Sequence, residues 1–217
     1  MRRCIPKRIL TTLKVAPVLF GHPRLACGSS LRFLSYVPLL SQPIKKAMTI
    51  DHQPNRLERQ LDRLNEVPAF ARPWFRSVVL RRAVPFTGTA GLDFLQMSAS
   101  RVEIGIKNEK KVQNHIGGIH ASAMNLLAET ATGMVVGMNV RDDCIPLAKE
   151  LRMAFKKRAT GAMRAVATLT DEQRALMQAS DKGEVNVAVT VTDEAGVHPV
   201  ECEFVWAWIP SGPRNNS

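Results

Sequence analysis

The residues with chemistry in them lie together in the middle of the chain. Asn114-His115-Ile116-Gly117-Gly118-Ile119-His120-Ala121-Ser122 runs directly into Ala123-Met124-Asn125-Leu126-Leu127-Ala128-Glu129-Thr130. A glycine pair ahead of a helix start leaves amide N–H groups aimed at whatever approaches the helix end, because the first amides of a helix have no partner within it. Such donors suit a position where negative charge develops during a reaction. Glu129 stands mid-helix among Leu126, Leu127, Ala128, Ala131 and Met134, where a lone carboxylate is unfavourable to bury. A carboxylate kept there is a candidate general base or nucleophile, or else a structural acid paired with an arginine or a helix-end amide. His120 reads as a group that orients the loop, and His115 as a capping or surface residue. The methionines Met124, Met134 and Met138 read first as core filler.

These residues need elements to hold them. Ile119–Val140, rich in Ala, Leu and Met, is the best helix in the chain, and the candidate site straddles its start. Upstream, Asn55–Glu66 places Leu57, Leu61 and Leu64 at helical spacing, with Asn55 or Asp51 as the cap and Pro68 as the stop. Residues 69–82 form a second short helix starting near Pro73. Pro85 and Thr87-Gly88-Thr89-Ala90-Gly91 then predict a loop. The period changes to two in Leu92–Ser100 and Arg101–Lys107, which predict strands. After a loop at Gln113–Gly118 and the long helix come four more strand-like segments, Leu147–Arg158, Ala162–Leu169, Glu184–Val191 and Pro199–Ile209. A short helix capped by Thr170 interrupts them. Asp193-Glu194-Ala195-Gly196 is a turn that makes the last two strands antiparallel. Trp206 and Trp208 share one face of the last strand, predicted to lie at a sheet surface or interface. The fold class is α+β, an antiparallel sheet against one buried helix. There is no G-x-G-x-x-G, Walker loop, G-x-S-x-G or βα alternation, so nucleotide-binding α/β folds and α/β-hydrolases are set aside.

Length and composition agree with one globular domain and an appendage: 217 residues, 45% hydrophobic and 23% charged. No stretch approaches the roughly 18 apolar residues of a membrane-spanning helix. Cys4, Cys27, Cys144 and Cys202 show no CxxC spacing and no close pairing with histidine, so neither a metal site nor a disulfide scaffold is expected, and no cofactor is implied. The formal charge of +11 is unevenly placed: residues 1–50 carry nine Lys or Arg and no acid, while the rest carries twenty-one against nineteen. The basicity belongs to the leader and gives little reason to expect nucleic acid. Residues 1–47 resemble a mitochondrial-type targeting segment interrupted by prolines; the alternative is that translation starts at Met48 and the leader is upstream frame. Either way the leader is expected to be disordered or loosely helical. The expected organisation is this leader, N-terminal helices over 48–91, the main domain over 92–210 and a tail over 211–217. The expected compartment is the cytoplasm, or the mitochondrial matrix if the leader is a real transit segment.

Asn114, Gly117, His120 and Glu129 together resemble the pattern of the hotdog-fold acyl-CoA thioesterases of the phenylacetyl-CoA thioesterase type: Asn, then Gly, then His at three-residue steps, then an acid nine positions on. The text is similar in particular to a branch catalogued as a domain of unknown function, which runs much like NH-x-G-x-x-H-A-x-x-x-x-x-L-A-E. The resemblance implies a curved antiparallel sheet wrapped around one long central helix over residues 92–210. It also implies a homodimer, with pairing into a tetramer as a further option, that binds an acyl-CoA or other acyl thioester between subunits. Glu129, Asn114 and His120 would then be the catalytic set, and Gly117, Gly118, Ala121 and Ser122 the substrate-binding set, with the Ala121 amide polarising the carbonyl. Nine residues along a helix turn through about 900°, which leaves His120 and Glu129 facing opposite sides, so a site shared across a two-fold fits the spacing better than one within a chain. Two departures stand out. Ala121-Ser122 replaces the glycines common after the histidine, and Pro146-Leu147-Ala148-Lys149 offers no hydroxyl to hold a water. The rival readings are a non-hydrolytic acyl-thioester-binding or interaction protein on the same fold, and a hydroxyacyl dehydratase, disfavoured because its Pro-Gly-Val turn is missing.

Overall fold

The computed structural model describes residues 53–212; the leader, Asp51 and the last five residues lie outside the described residues. Helix α1 spans Arg56–Arg63 and is capped by Asn55, whose Oδ1 accepts from the Glu58 amide at 2.9 Å. The same side chain, buried, donates from Nδ2 to the carbonyls of Gly137 and Val140 at 2.8 and 2.6 Å. One carboxamide thus serves the start of α1 and the end of the long helix.

Helix α2 covers Arg72–Ala83 and α3 covers Pro85–Ala90. The segment expected to be a loop is therefore a short helix, and its punctuating residues are the helix's own ends. Pro85 takes the first helical position, where no amide donor is needed. Gly91 closes the helix in the left-handed conformation at φ 75°, its amide donating to Thr87 O at 2.9 Å.

Strands β1 (Asp93–Met97) and β2 (Arg101–Ile106) precede α4 (Ala121–Gly137); β3 (Cys144–Phe155), β4 (Met163–Thr168), α5 (Asp171–Ala179), β5 (Gly183–Asp193) and β6 (Val200–Pro210) follow. The six strands form one antiparallel sheet in the order β1-β2-β4-β5-β6-β3. Helix α5 starts with a reciprocal cap between Thr170 and Gln173.

Helix α4 lies on the sheet. Leu127, Ala128, Ala131 and Val135 are fully buried, opposite Val102, Ile104, Ala165, Ala167 and Phe204. Its small residues permit close approach: a Cβ on Gly133 would sit 2.8 Å from the Trp206 ring. Trp206 and Trp208 do share a face, but it is the inner one. Both are buried, with Nε1 of Trp206 donating to Thr132 Oγ1 at 3.0 Å and Nε1 of Trp208 donating to Ser180 O at 3.1 Å. The expectation of a surface or interface position is corrected by these two bonds, which give each indole N–H a partner inside the core.

Strand β3 is an edge strand and carries a bulge between Ala148 and Glu150 against β6. The extra residue reverses which side chains face inward. Beyond it Leu151, Met153 and Phe155 pair with Phe204, Cys202 and Val200, the helix-side residues of β6, yet Leu151 and Phe155 remain 40% and 55% exposed.

Candidate active site

The loop before α4 is closed on Asn114. Its amide donates to Gly118 O at 2.8 Å, its carbonyl accepts from Gly117 N at 3.1 Å, and its side-chain Oδ1 accepts from Ile116 N and Gly118 N, both at 3.1 Å. Gly117 adopts φ 79°, which the tight turn requires and which a side chain would strain. Asn114 is thus the loop's internal brace. Gly117 and Gly118, which the resemblance places in the substrate-binding set, both use their N–H groups within the loop.

His120 is the N-cap of α4, at φ −65° and ψ 144°, and its Nδ1 accepts from Ser122 N at 3.1 Å. Its own amide donates to Val112 O, and its carbonyl accepts from Ala123 and Met124. A histidine that accepts at Nδ1 carries its proton on Nε2, so the ring is set as a donor toward solvent. Between these bonded amides stands Ala121, whose N–H makes no hydrogen bond to a described residue. It is the unpartnered donor at the helix start, where the macrodipole adds positive potential.

Glu129 is half-buried and lines a cleft of about 610 Å³ between α4 and the edge strand. Ala121, Ser122 and Asn125 line the same cleft, which Leu151, Met153 and Phe155 bound from β3 and Phe86 bounds from α3. No ion pair to Glu129 forms among the described residues, and its one side-chain contact is Thr130 Oγ1 at 3.4 Å, at the outer limit of a hydrogen bond. Burial therefore pushes the carboxyl above its ordinary range, with Thr130 opposing weakly.

His120 is not among the residues that line Glu129's cleft; it lines a neighbouring one of about 240 Å³, which shares Phe86, Ser122 and Leu126 with it. Ala121 and Ser122 face the same cleft as Glu129. What separates them is distance, since eight residues of helix put Ala121 about 12 Å from Glu129 along the axis. The structure thus brings Ala121, Ser122 and Glu129 into one cleft, sets His120 beside it, and leaves Asn114, Gly117 and Gly118 in the loop behind.

Three features of this cleft are absent from the expectations drawn on the sequence. Asn125 precedes Glu129 by one helical turn, so its presence on this face was readable from spacing alone. Phe86 is hidden in the sequence because its segment reads as a loop, and the β3 side chains are hidden by the bulge. Among the described residues no group of three or more His, Cys, Asp or Glu could hold a metal ion, and no helix is long and apolar enough to cross a membrane.

One long helix covered by six antiparallel strands in this order is the hotdog fold, and solved structures of that fold superimpose on the chain. A Pseudomonas aeruginosa protein of unknown function, described as a probable thioesterase, matches with a TM-score of 0.58 and 22% identity over 62% of this chain and 93% of its own. A candidate thioesterase from Shewanella oneidensis matches at 0.54 and 13% identity, over 70% and 99%. A variant of a Staphylococcus aureus thioesterase matches at 0.50 and 17% identity, over 58% and 100%. At these identities the likeness is one of fold. No curated protein matches the chain significantly in sequence. Residues 72–209 match the model of the family described as "Domain of unknown function (DUF4442)", and the chain belongs to that family.

Proposed function

We propose that this protein hydrolyses acyl thioesters of the coenzyme A type as a homodimer, with each site built from two chains. The observation that carries the reading is Glu129: a half-buried carboxylate without an ion-pair partner among the described residues, in the cleft that also holds the unpartnered Ala121 amide. Burial disfavours the charged form of such a group, and a perturbed carboxyl lining a cleft marks a functional-site candidate.

Hydrolysis adds a water oxygen to the thioester carbon, breaks the C–S bond and returns a proton to the departing thiolate. The Ala121 amide supplies a donor for the carbonyl oxygen as it gains negative charge. One such donor is typically worth about 3–4 kcal/mol in the transition state. Ionised Glu129 removes the proton from water, or attacks the carbon itself to give an anhydride that water then opens; both routes need the charged form. Eight residues of helix, about 12 Å of axis, separate Ala121 from Glu129 within one chain, and the amide and the carboxylate that act together are therefore assigned to different chains. His120 holds Ser122 N, and Asn114 holds the loop, so both position the helix start. The inward apolar residues of β3 receive the acyl group.

The test is release of free thiol from a panel of acyl-CoAs. Wild-type protein should release thiol, and Glu129→Gln should lower the rate at least ~100-fold while the dimer stays folded. Unchanged turnover in Glu129→Gln would remove the assigned role. Thermal stabilisation by acyl-CoA without thiol release would favour the non-hydrolytic binding protein.

A further inference from the structure

The cleft has a polar side chain, Asn125, to which no role has yet been given. Asn125 is half-buried on the face of α4 that carries Ser122 and Glu129, and its carboxamide makes no hydrogen bond to a described residue. A carboxamide in that position has donors and an acceptor awaiting a partner. The wall beside it is also incomplete: Leu151 and Phe155 turn inward from β3 yet are 40% and 55% exposed, and Phe86 is 63% exposed.

A two-fold axis fixes what can stand there. If Ala121 of one chain meets Glu129 of its partner, then Glu129 of the first meets Ala121 of the partner, because a two-fold contact is reciprocal. The two α4 helices must run antiparallel, and facing positions must share one mean. The mean of 121 and 129 is 125. We infer that Asn125 lies on the molecular dyad, facing its own copy, and that the two carboxamides bond to each other and set the register of the paired helices. A carboxamide pair is self-complementary, Nδ2 of each donating to Oδ1 of the other, and a polar residue facing its own copy between paired helices is an established way to fix register. A shift of one residue in the facing position would move each amide about 1.5 Å relative to the opposing carboxylate, enough to spoil a composite site. Asn125 is therefore a positioning residue for both sites at once. This rests on the cross-chain site proposed above, and its occupant is a second copy of this chain.

Single cysteines on α4 of the full-length protein test the register without reference to activity. In antiparallel helices centred on 125, a residue and its own copy are separated along the axis by about 3 Å for each position away from 125. Under mild oxidation, Asn125→Cys should form a covalent dimer far faster than Ser122→Cys, and Glu129→Cys should form none. Peptide mapping should place the link between the two thiols introduced at position 125 rather than at native Cys4, Cys27, Cys144 or Cys202. A mixture of Ala121→Cys and Glu129→Cys chains should link as a heterodimer although neither links alone. Self-linkage fastest at 122 or 129, or failure of Asn125→Cys to link while the 121–129 mixture does, would overturn the assignment. Covalent dimer at 125 without thiol release by the wild-type protein would leave this inference standing and remove the hydrolase reading alone.

Discussion

At the residue scale, the consequence of Glu129's surroundings is a pH dependence with a definite sign. Burial raises its pKa above the ordinary 4.5, and the proposed hydrolysis needs the ionised form. The rate should therefore fall as pH drops through the raised value, with the midpoint above that of an exposed glutamate. Stability runs the other way. The fold favours the protonated carboxyl, so its contribution is fully present below the unfolded-state pKa and is lost as pH rises through the folded one. Glu129→Gln should accordingly melt higher than wild type near pH 7, and the two should converge below about pH 4. Thermal melts across that range check this; a wild type that stays more stable at neutral pH would mean the carboxylate has a stabilising partner. Glu129 and Ala121 were legible because a charge in an apolar helix and an amide at a helix start are local facts of composition and order. The bonding of the glycine amides was not legible, because it is the side chain of Asn114, four residues earlier, that takes Gly118 N. A glycine pair reveals that the backbone can turn there, and not where its hydrogens go.

At the element scale, Asn55 shows how one side chain can join parts that are distant in sequence. It caps α1 through Oδ1 and satisfies two carbonyls at the far end of α4 through Nδ2. Truncation removes a helix cap and leaves two buried acceptors without donors. Asn55→Ala should destabilise by about 3 kcal/mol, against about 1 kcal/mol for an ordinary cap. Urea denaturation with an unchanged slope is the measurement, and a loss near 1 kcal/mol would mean that water replaces the Nδ2 bonds. Its role as a cap was readable from the sequence, while its link to α4 depends on tertiary contact. The six strands, the two outer helices and the central helix were likewise readable from period and turn chemistry. Helix α3 was not, because Pro85 and Gly91 are loop signals in isolation and helix ends when six residues apart. The β3 bulge has no composition signal either, and it alone decides that Leu151, Met153 and Phe155 face the cleft.

At the scale of the whole molecule, the decisive question is whether the amide and the carboxylate of one site belong to one chain or two. Ala121 offers a clean way to remove the donor. It is the first residue of α4, where proline is tolerated, and His120 before it already has the extended backbone that a following proline demands. Ala121→Pro deletes the N–H while keeping the helix, and by itself should lower turnover by about 100- to 1,000-fold with little loss of stability. Glu129→Gln should lose turnover for a different reason, the removal of the proposed base or nucleophile. When the two variants are unfolded, mixed in equal amounts and refolded, half of the dimers should be mixed. Each mixed dimer then holds one site with a native Ala121 amide from the Glu129→Gln chain and a native Glu129 from the Ala121→Pro chain. Its other site is doubly defective. Thiol release should recover to about one quarter of the wild-type rate, because one of two sites is intact in half of the dimers. Were the site within one chain, every site would lack one group and mixing would restore nothing. Recovery that tracks the fraction of mixed dimers, counted by native mass spectrometry, would establish that the fold becomes a catalyst only when paired.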